Sequence, residues 1–190
     1  MDRHRFRLVF AEGPTLQEHY LKHSKWQRRK MLRHYPHIVF WLFGAWLIRT
    51  CTRSRASHIL ISSGEVVLDY QFSATKFWGH IDFCHRYPGI LGYIDIYSDV
   101  PLMLERWEGR SKPDAWWRCL WTLARYLASL FTFGQISGQN CVTISRQVLA
   151  EAGFKVPKTA YSPAMFRRYL IDNGCDFIAG KPPAHDGPVD

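Results

Sequence analysis

The sequence predicts an α+β domain with an antiparallel sheet packed against helices. Three observations carry that expectation. Short β-prone runs separated by turn residues fill the first half of the chain, and helical patterning fills the second. Strands and helices follow one another in blocks rather than alternating, which speaks against a parallel sheet. The 190 residues suit one domain, and with 47 % of them apolar they can bury a core without disulfide or metal staples.

Taken in order, residues 1–36 are basic and His-rich and predict an N-terminal arm or helix. Leu16, Tyr20, Lys22 and His23 fit a helix ahead of Pro36. A solvated helix is the plain expectation; contact of Arg28, Arg29 and Lys30 with an anionic surface is the sharper one. Residues 39–50 are apolar and β-prone, interrupted by Gly44. Residues 57–61 read as a strand, Ser62, Ser63 and Gly64 as a turn, and residues 65–72 as a second strand, together a β-hairpin. A further strand is expected over 90–97, after Pro88 and Gly89.

The second half begins with a short helix expected over 101–108. Residues 115–131 predict a longer helix with one narrow polar stripe of Arg118, Thr122, Arg125 and Ser129. Its remaining face, with Trp116, Trp117, Leu120, Trp121, Leu127 and Leu130, predicts burial, a greasy partner-facing surface being the alternative. After a loop at 134–138, residues 141–152 form a helix stopped by Gly153. Ser162 caps a last helix over 163–170, with Pro163 at its first position. Residues 179–190, with three Pro and two Gly, read as a flexible tail. The expected organisation is thus an arm at 1–36, a domain at 37–178 and a tail at 179–190.

Composition narrows the function classes. The net charge of +9 suits nucleic acid, anionic lipid or an acidic polymer as partner. The five cysteines, Cys51, Cys84, Cys119, Cys141 and Cys175, are odd in number, widely spaced and free of CxxC pairs. That argues against a disulfide framework or zinc knuckle and for reduced thiols in a cytoplasmic setting, with a virus particle as the other possibility. The longest apolar run, 38–48, falls short of the roughly 20 residues a membrane span needs. No ligand spacing points to a metal, and no cofactor motif is present.

One constellation carries chemistry. Cys141 opens a predicted helix, just after Gln139 and Asn140. Partial positive charge and free N–H groups at a helix start favour a thiolate, and the same N–H groups can hold an oxyanion. The side chain of Gln139 or Asn140 can add a donor. For a lone cysteine, packing at a helix start is the commoner outcome. His58 changes that balance, because a polar ring opening an apolar strand calls for a partner or a task. A thiol nucleophile needs a nearby base, and imidazole titrates near neutrality. A third polar group should orient the ring. Glu65 and Asp69 on the next strand share a face, so spacing alone does not choose between them; Asp69 is preferred and Tyr70 is an outsider. His80 and His85 are alternative bases on less clean strands.

These residues carry a resemblance. Residues 44–61, running through Ser57-His58 into an apolar strand, resemble the opening of the circularly permuted NlpC-like papain-fold cysteine hydrolases. Asn140-Cys141-Val142-Thr143, running on to Gly153, resembles their nucleophile helix. Tyr161-Ser162-Pro163 resembles the helix start that follows. The order also fits the permuted branch, in which His precedes Cys. The resemblance covers roughly residues 38–170. It implies a papain-like fold, a Cys141–His58 pair forming a thioester, and a polar partner on the strand after the histidine. It further implies an acyl or amide substrate drawn from peptidoglycan peptides, lipids or proteins. The clan includes bacterial amidases, lecithin:retinol acyltransferase relatives and small phage-encoded proteins. Many bacterial members carry Ser-Glu after the cysteine, where this chain has Val142-Thr143.

The leading expectation is therefore a cysteine-dependent hydrolase or acyltransferase. A non-catalytic structural or host-interaction protein on the same scaffold is the second, and nucleic-acid binding through the basic arm is the third.

Overall fold

The computed structural model describes residues 4–12, 24–34, 46, 50, 54–56, 58–64, 66–71, 74–79, 83–84, 89–107, 121, 124–125, 128, 131–132 and 140–183. Six strands form one antiparallel sheet: β1 (His4–Ala11), β2 (His58–Ser63), β3 (Val66–Gln71), β4 (Ala74–Gly79), β5 (Ile90–Ser98) and β6 (Phe177–Ala179). Their order across the sheet is β4-β3-β2-β1-β5-β6. The described helices are α1 (Lys25–His34), α2 (Cys141–Glu151) and α3 (Pro163–Asp172), with a 3-10 turn at Leu104–Trp107. The fold is α+β with an antiparallel sheet, and α2 packs over β2 and β3.

Residues 4–11 differ from expectation. They do not form an arm: β1 is a central strand, paired with β2 on one side and β5 on the other. Its alternation serves two cores at once. Phe6, Leu8 and Phe10 face a cluster with Ile59, Ile61, Ile94 and the α2 and α3 residues Val142, Val148, Leu149 and Phe166. Val9 and Ala11 face a smaller cluster with Leu60, Val67, Phe83 and Tyr93. Arg7 lies buried on that second side. Its Nε and Nη2 donate to the two carboxylate oxygens of Asp95 at 2.6 and 3.1 Å, and its guanidinium stacks on Tyr93. A charge that reads as solvated in sequence is therefore neutralised directly across the ladder, where Arg7 faces Asp95.

Three further expectations change. Trp46 and Thr50 are helical, with the Thr50 hydroxyl donating to the Trp46 carbonyl one turn back, so no strand runs through these two; the rest of 39–50 lies outside the described residues. Residue 179 closes β6, Gly180 N–H donates to Leu91 and Pro182 is buried, so the chain is anchored through 183 rather than loose from 179. Of the apolar face expected within 115–131, Trp121 is 62 % exposed rather than buried, while Trp116, Trp117, Leu120, Leu127 and Leu130 fall outside the described residues; Phe131 is 76 % exposed.

The remaining elements follow their local signals. Gly64 adopts φ +57 in the turn joining β2 to β3, a conformation that glycine takes without strain. Gly92 on β5 has another reason. A Cβ there would collide with the Phe177 ring and the Ile178 carbonyl of β6, so only glycine lets the edge strand close. Phe177 in turn meets Phe10 edge-on. Among the described residues, no helix is long and apolar enough to cross a membrane.

Candidate active site

The β2–β3 hairpin and the start of α2 bring three predicted residues together. The ladder between the strands is fixed by the pairs Ile61↔Leu68, Ser62↔Val67 and Ser63↔Val66. Extending that register sets Asp69 as a diagonal neighbour of His58, a geometry within reach of a carboxylate. His58 Nε2 and Asp69 Oδ1 are 2.7 Å apart. The Asp69 side chain is fully buried, and that of His58 is 15 % exposed. With Nε2 committed to Asp69, Nδ1 is the ring nitrogen left for the thiol, and Cys141 lies within hydrogen-bonding reach of the ring.

The electrostatics follow from this arrangement. Burial disfavours the imidazolium. The negative charge of a Cys141 thiolate, hydrogen bonds to Asp69 and Cys141, and the Asp69 charge together outweigh that penalty. The His58 pKa is pushed up to about 10, so the ring carries its proton at neutral pH. A protonated imidazole can give its proton to a leaving group, the acid role that a cysteine nucleophile needs from its partner.

Local sequence holds Cys141 in place. Asn140 is the N-cap of α2: its Oδ1 accepts from Thr143 N–H at 2.9 Å, and its own N–H donates to Thr143 Oγ1 at 2.8 Å. This reciprocal capping box gives Asn140 a structural task beside the expected one. Its Oδ1 is the acceptor engaged in the cap, so a donor to an oxyanion would be its Nδ2. Thr143 was not singled out in the sequence, although Asn followed three residues later by a hydrogen-bonding side chain is the spacing of a capping box. The resemblance marked this same position as a departure, Thr in place of Glu. At the third helical position either side chain can reach back to the cap. The first N–H groups of α2, those of Cys141 and Val142, have no preceding turn to bond within the helix, and they sit beside the thiol.

The middle of α2 is pinned as well. Arg146 donates through Nη2 to the Ala160 carbonyl at 3.0 Å, tying the helix to the segment before α3. Partial burial lowers its pKa from the usual arginine value. Ser162 caps α3 by accepting from Met165 N–H, with Pro163 in the first turn.

Glu65, Gln139, His80 and His85 lie outside the described residues. Tyr70 is buried in the main core, and the His58 partner is Asp69. Among the described residues, no group of three or more His, Cys, Asp or Glu side chains is placed to hold a metal ion. Cys84, Cys141 and Cys175 are free thiols, Cys84 buried against the Pro183 carbonyl. No family model, curated protein or solved structure matches the chain.

Proposed function

We propose that the protein is a cysteine-dependent hydrolase or acyltransferase on a circularly permuted papain-like scaffold. One observation carries the reading: His58 stands between a buried carboxylate at 2.7 Å and the thiol that opens α2. The order of His before Cys supports the permuted arrangement, as does the packing of α2 over β2 and β3. The resemblance leaves β1 out; on this reading the domain begins with β1 rather than at residue 37.

The chemistry balances with these groups alone. The Cys141 sulfur attacks the carbonyl carbon of an ester or amide and forms a C–S bond. The carbonyl oxygen becomes an oxyanion beside the first N–H groups of α2. When the tetrahedral intermediate collapses, the leaving alkoxide or amine takes the proton from His58, and a thioester remains. Water or an acceptor alcohol or amine then attacks the thioester, giving its proton to His58; the C–S bond breaks, the acid, ester or amide leaves, and the Cys141 sulfur and protonated His58 are restored. Asp69 holds the ring and balances its charge throughout.

The test is iodoacetamide alkylation of the folded protein with mass mapping of the modified cysteine. Cys141 is expected to react at least tenfold faster than Cys84 or Cys175, and His58→Ala is expected to abolish that advantage. Equal rates at the three thiols, or an unchanged rate in His58→Ala, would sink the catalytic reading. The same variants then enter a screen of amide, thioester and lipid-ester substrates, where loss of the base should cost about 10²–10⁴ in turnover.

A further inference from the structure

We propose that one face of α1 docks the protein onto anionic phospholipid bilayers. The inference is independent of the catalytic reading. At about 100° per residue, Lys25, Arg29, Arg33, Trp26 and Lys30 fall in that order around an arc of roughly 140°. All five side chains are exposed, Trp26 by 69 %. Arg28 points elsewhere and is half-buried, so the cationic face is not the Arg28-Arg29-Lys30 run of the sequence. No acidic residue lies within α1 to offset the four cations.

The helix that presents this face is set firmly at its start. Ser24 Oγ accepts from Gln27 N–H at 3.3 Å, and Gln27 Oε1 accepts from Ser24 N–H at 3.0 Å, a second capping box in the chain. The face is therefore formed before any partner arrives.

Both anionic lipid and nucleic acid would satisfy the charges. The tryptophan chooses between them. Lys30 Nζ sits 5.3 Å above the Trp26 ring and covers one of its faces. Surfaces that bind single strands stack successive bases on several aromatic rings, and α1 carries no Phe, Tyr or second Trp beside Trp26. At a bilayer, the indole lies at headgroup level while a neighbouring cation meets the phosphates, so the pair is accommodated together. The same pairing recurs in a separate segment, where Arg125 lies 5.6 Å over the exposed Trp121 ring, again four residues on. The protein docks on the bilayer without crossing it, in line with a short polar helix.

The experiment is flotation of the full chain with vesicles of phosphatidylcholine alone and of phosphatidylcholine mixed with phosphatidylserine. Binding is expected only with phosphatidylserine and should be lost in high salt. At about fivefold per cation, Arg29→Ala with Arg33→Ala should weaken it roughly 25-fold. Trp26→Ala should weaken it without changing the salt dependence. These side chains are exposed, so the variants should keep the native circular dichroism and the native alkylation rate of Cys141. Cys141→Ala should bind vesicles as the native chain does, which separates this test from that of catalysis. Equal binding to both vesicle types, or binding indifferent to Arg29 and Arg33, would overturn the proposal. So would tighter binding to a single-stranded oligonucleotide with the same arginine dependence, which would make α1 a nucleic-acid surface.

Discussion

Two ion pairs are built into the same sheet, and they differ in what their cations can do. Arg7–Asp95 joins β1 to β5 at 2.6 Å, with Arg7 only 3 % exposed. His58–Asp69 joins β2 to β3 at 2.7 Å, with Asp69 fully buried. By distance and burial they are near equivalents. The guanidinium keeps its proton at every accessible pH, and one of its faces lies on the Tyr93 ring. The imidazole can release its proton, and its other edge meets a thiol. Neither burial nor bond length marks a buried ion pair as functional. What separates the two is a cation that can change state and a thiol beside it, the pair on which the proposed catalytic reading rests.

The largest effect that sharpens this contrast is pH-dependent. The His58 pKa is raised in the fold from the ordinary value of 6.5 to about 10. The charged ring, held by Cys141 and Asp69 together, should therefore contribute its full stabilisation below about pH 6.5 and lose it progressively as pH rises through 10. Denaturant unfolding followed across that window should show native stability falling relative to His58→Gln. The Arg7 pair should contribute no slope there. Parallel curves for the two proteins would break the comparison.

Next in size is removal of one partner from the structural pair. Arg7→Met leaves Asp95 uncompensated beside the core and should cost about 3 kcal/mol, at the low end of the range because Asp95 is 17 % exposed. Urea midpoints measure it. Adding Asp95→Leu should recover much of the loss, and neither change should alter the alkylation rate of Cys141. The smallest effect concerns the capping box. Asn140→Ala should cost about 1 kcal/mol of stability, and it should also slow Cys141 alkylation because the thiol sits at the residue after the cap. An equal loss of stability with an unchanged rate would make Asn140 a structural cap only.

The sequence made legible what is encoded locally. The β2–β3 hairpin, α2 with its Gly153 stop and α3 with its Ser162 cap are each set by residues within a turn or two of one another. What was hidden depends on contacts far along the chain. Arg5 and Arg7 gave β1 the look of a solvated arm, because the carboxylate that neutralises Arg7 lies 88 residues away. The preference for Asp69 over Glu65 also waited on structure, since strand alternation alone gives both the same parity and only the ladder places Asp69 diagonally from His58. Residues 46 and 50 were misread for a different reason: β-prone composition was overridden by a helical turn.

The place of β1 also sets a timetable for biosynthesis. Ribosomes add roughly 5–20 residues per second, so the interval of 88 residues between Arg7 and Asp95 lasts about 4 to 18 seconds. During that time β2, β3 and β4 can assemble on one edge of β1, while the other edge has no strand to pair with. A nascent chain at that stage exposes an open, largely apolar strand edge carrying an unneutralised arginine, the kind of surface that chaperones hold and that aggregates recruit. Cys141 emerges later still, so the thiol on α2 meets its histidine only after β5 is available to pair with β1.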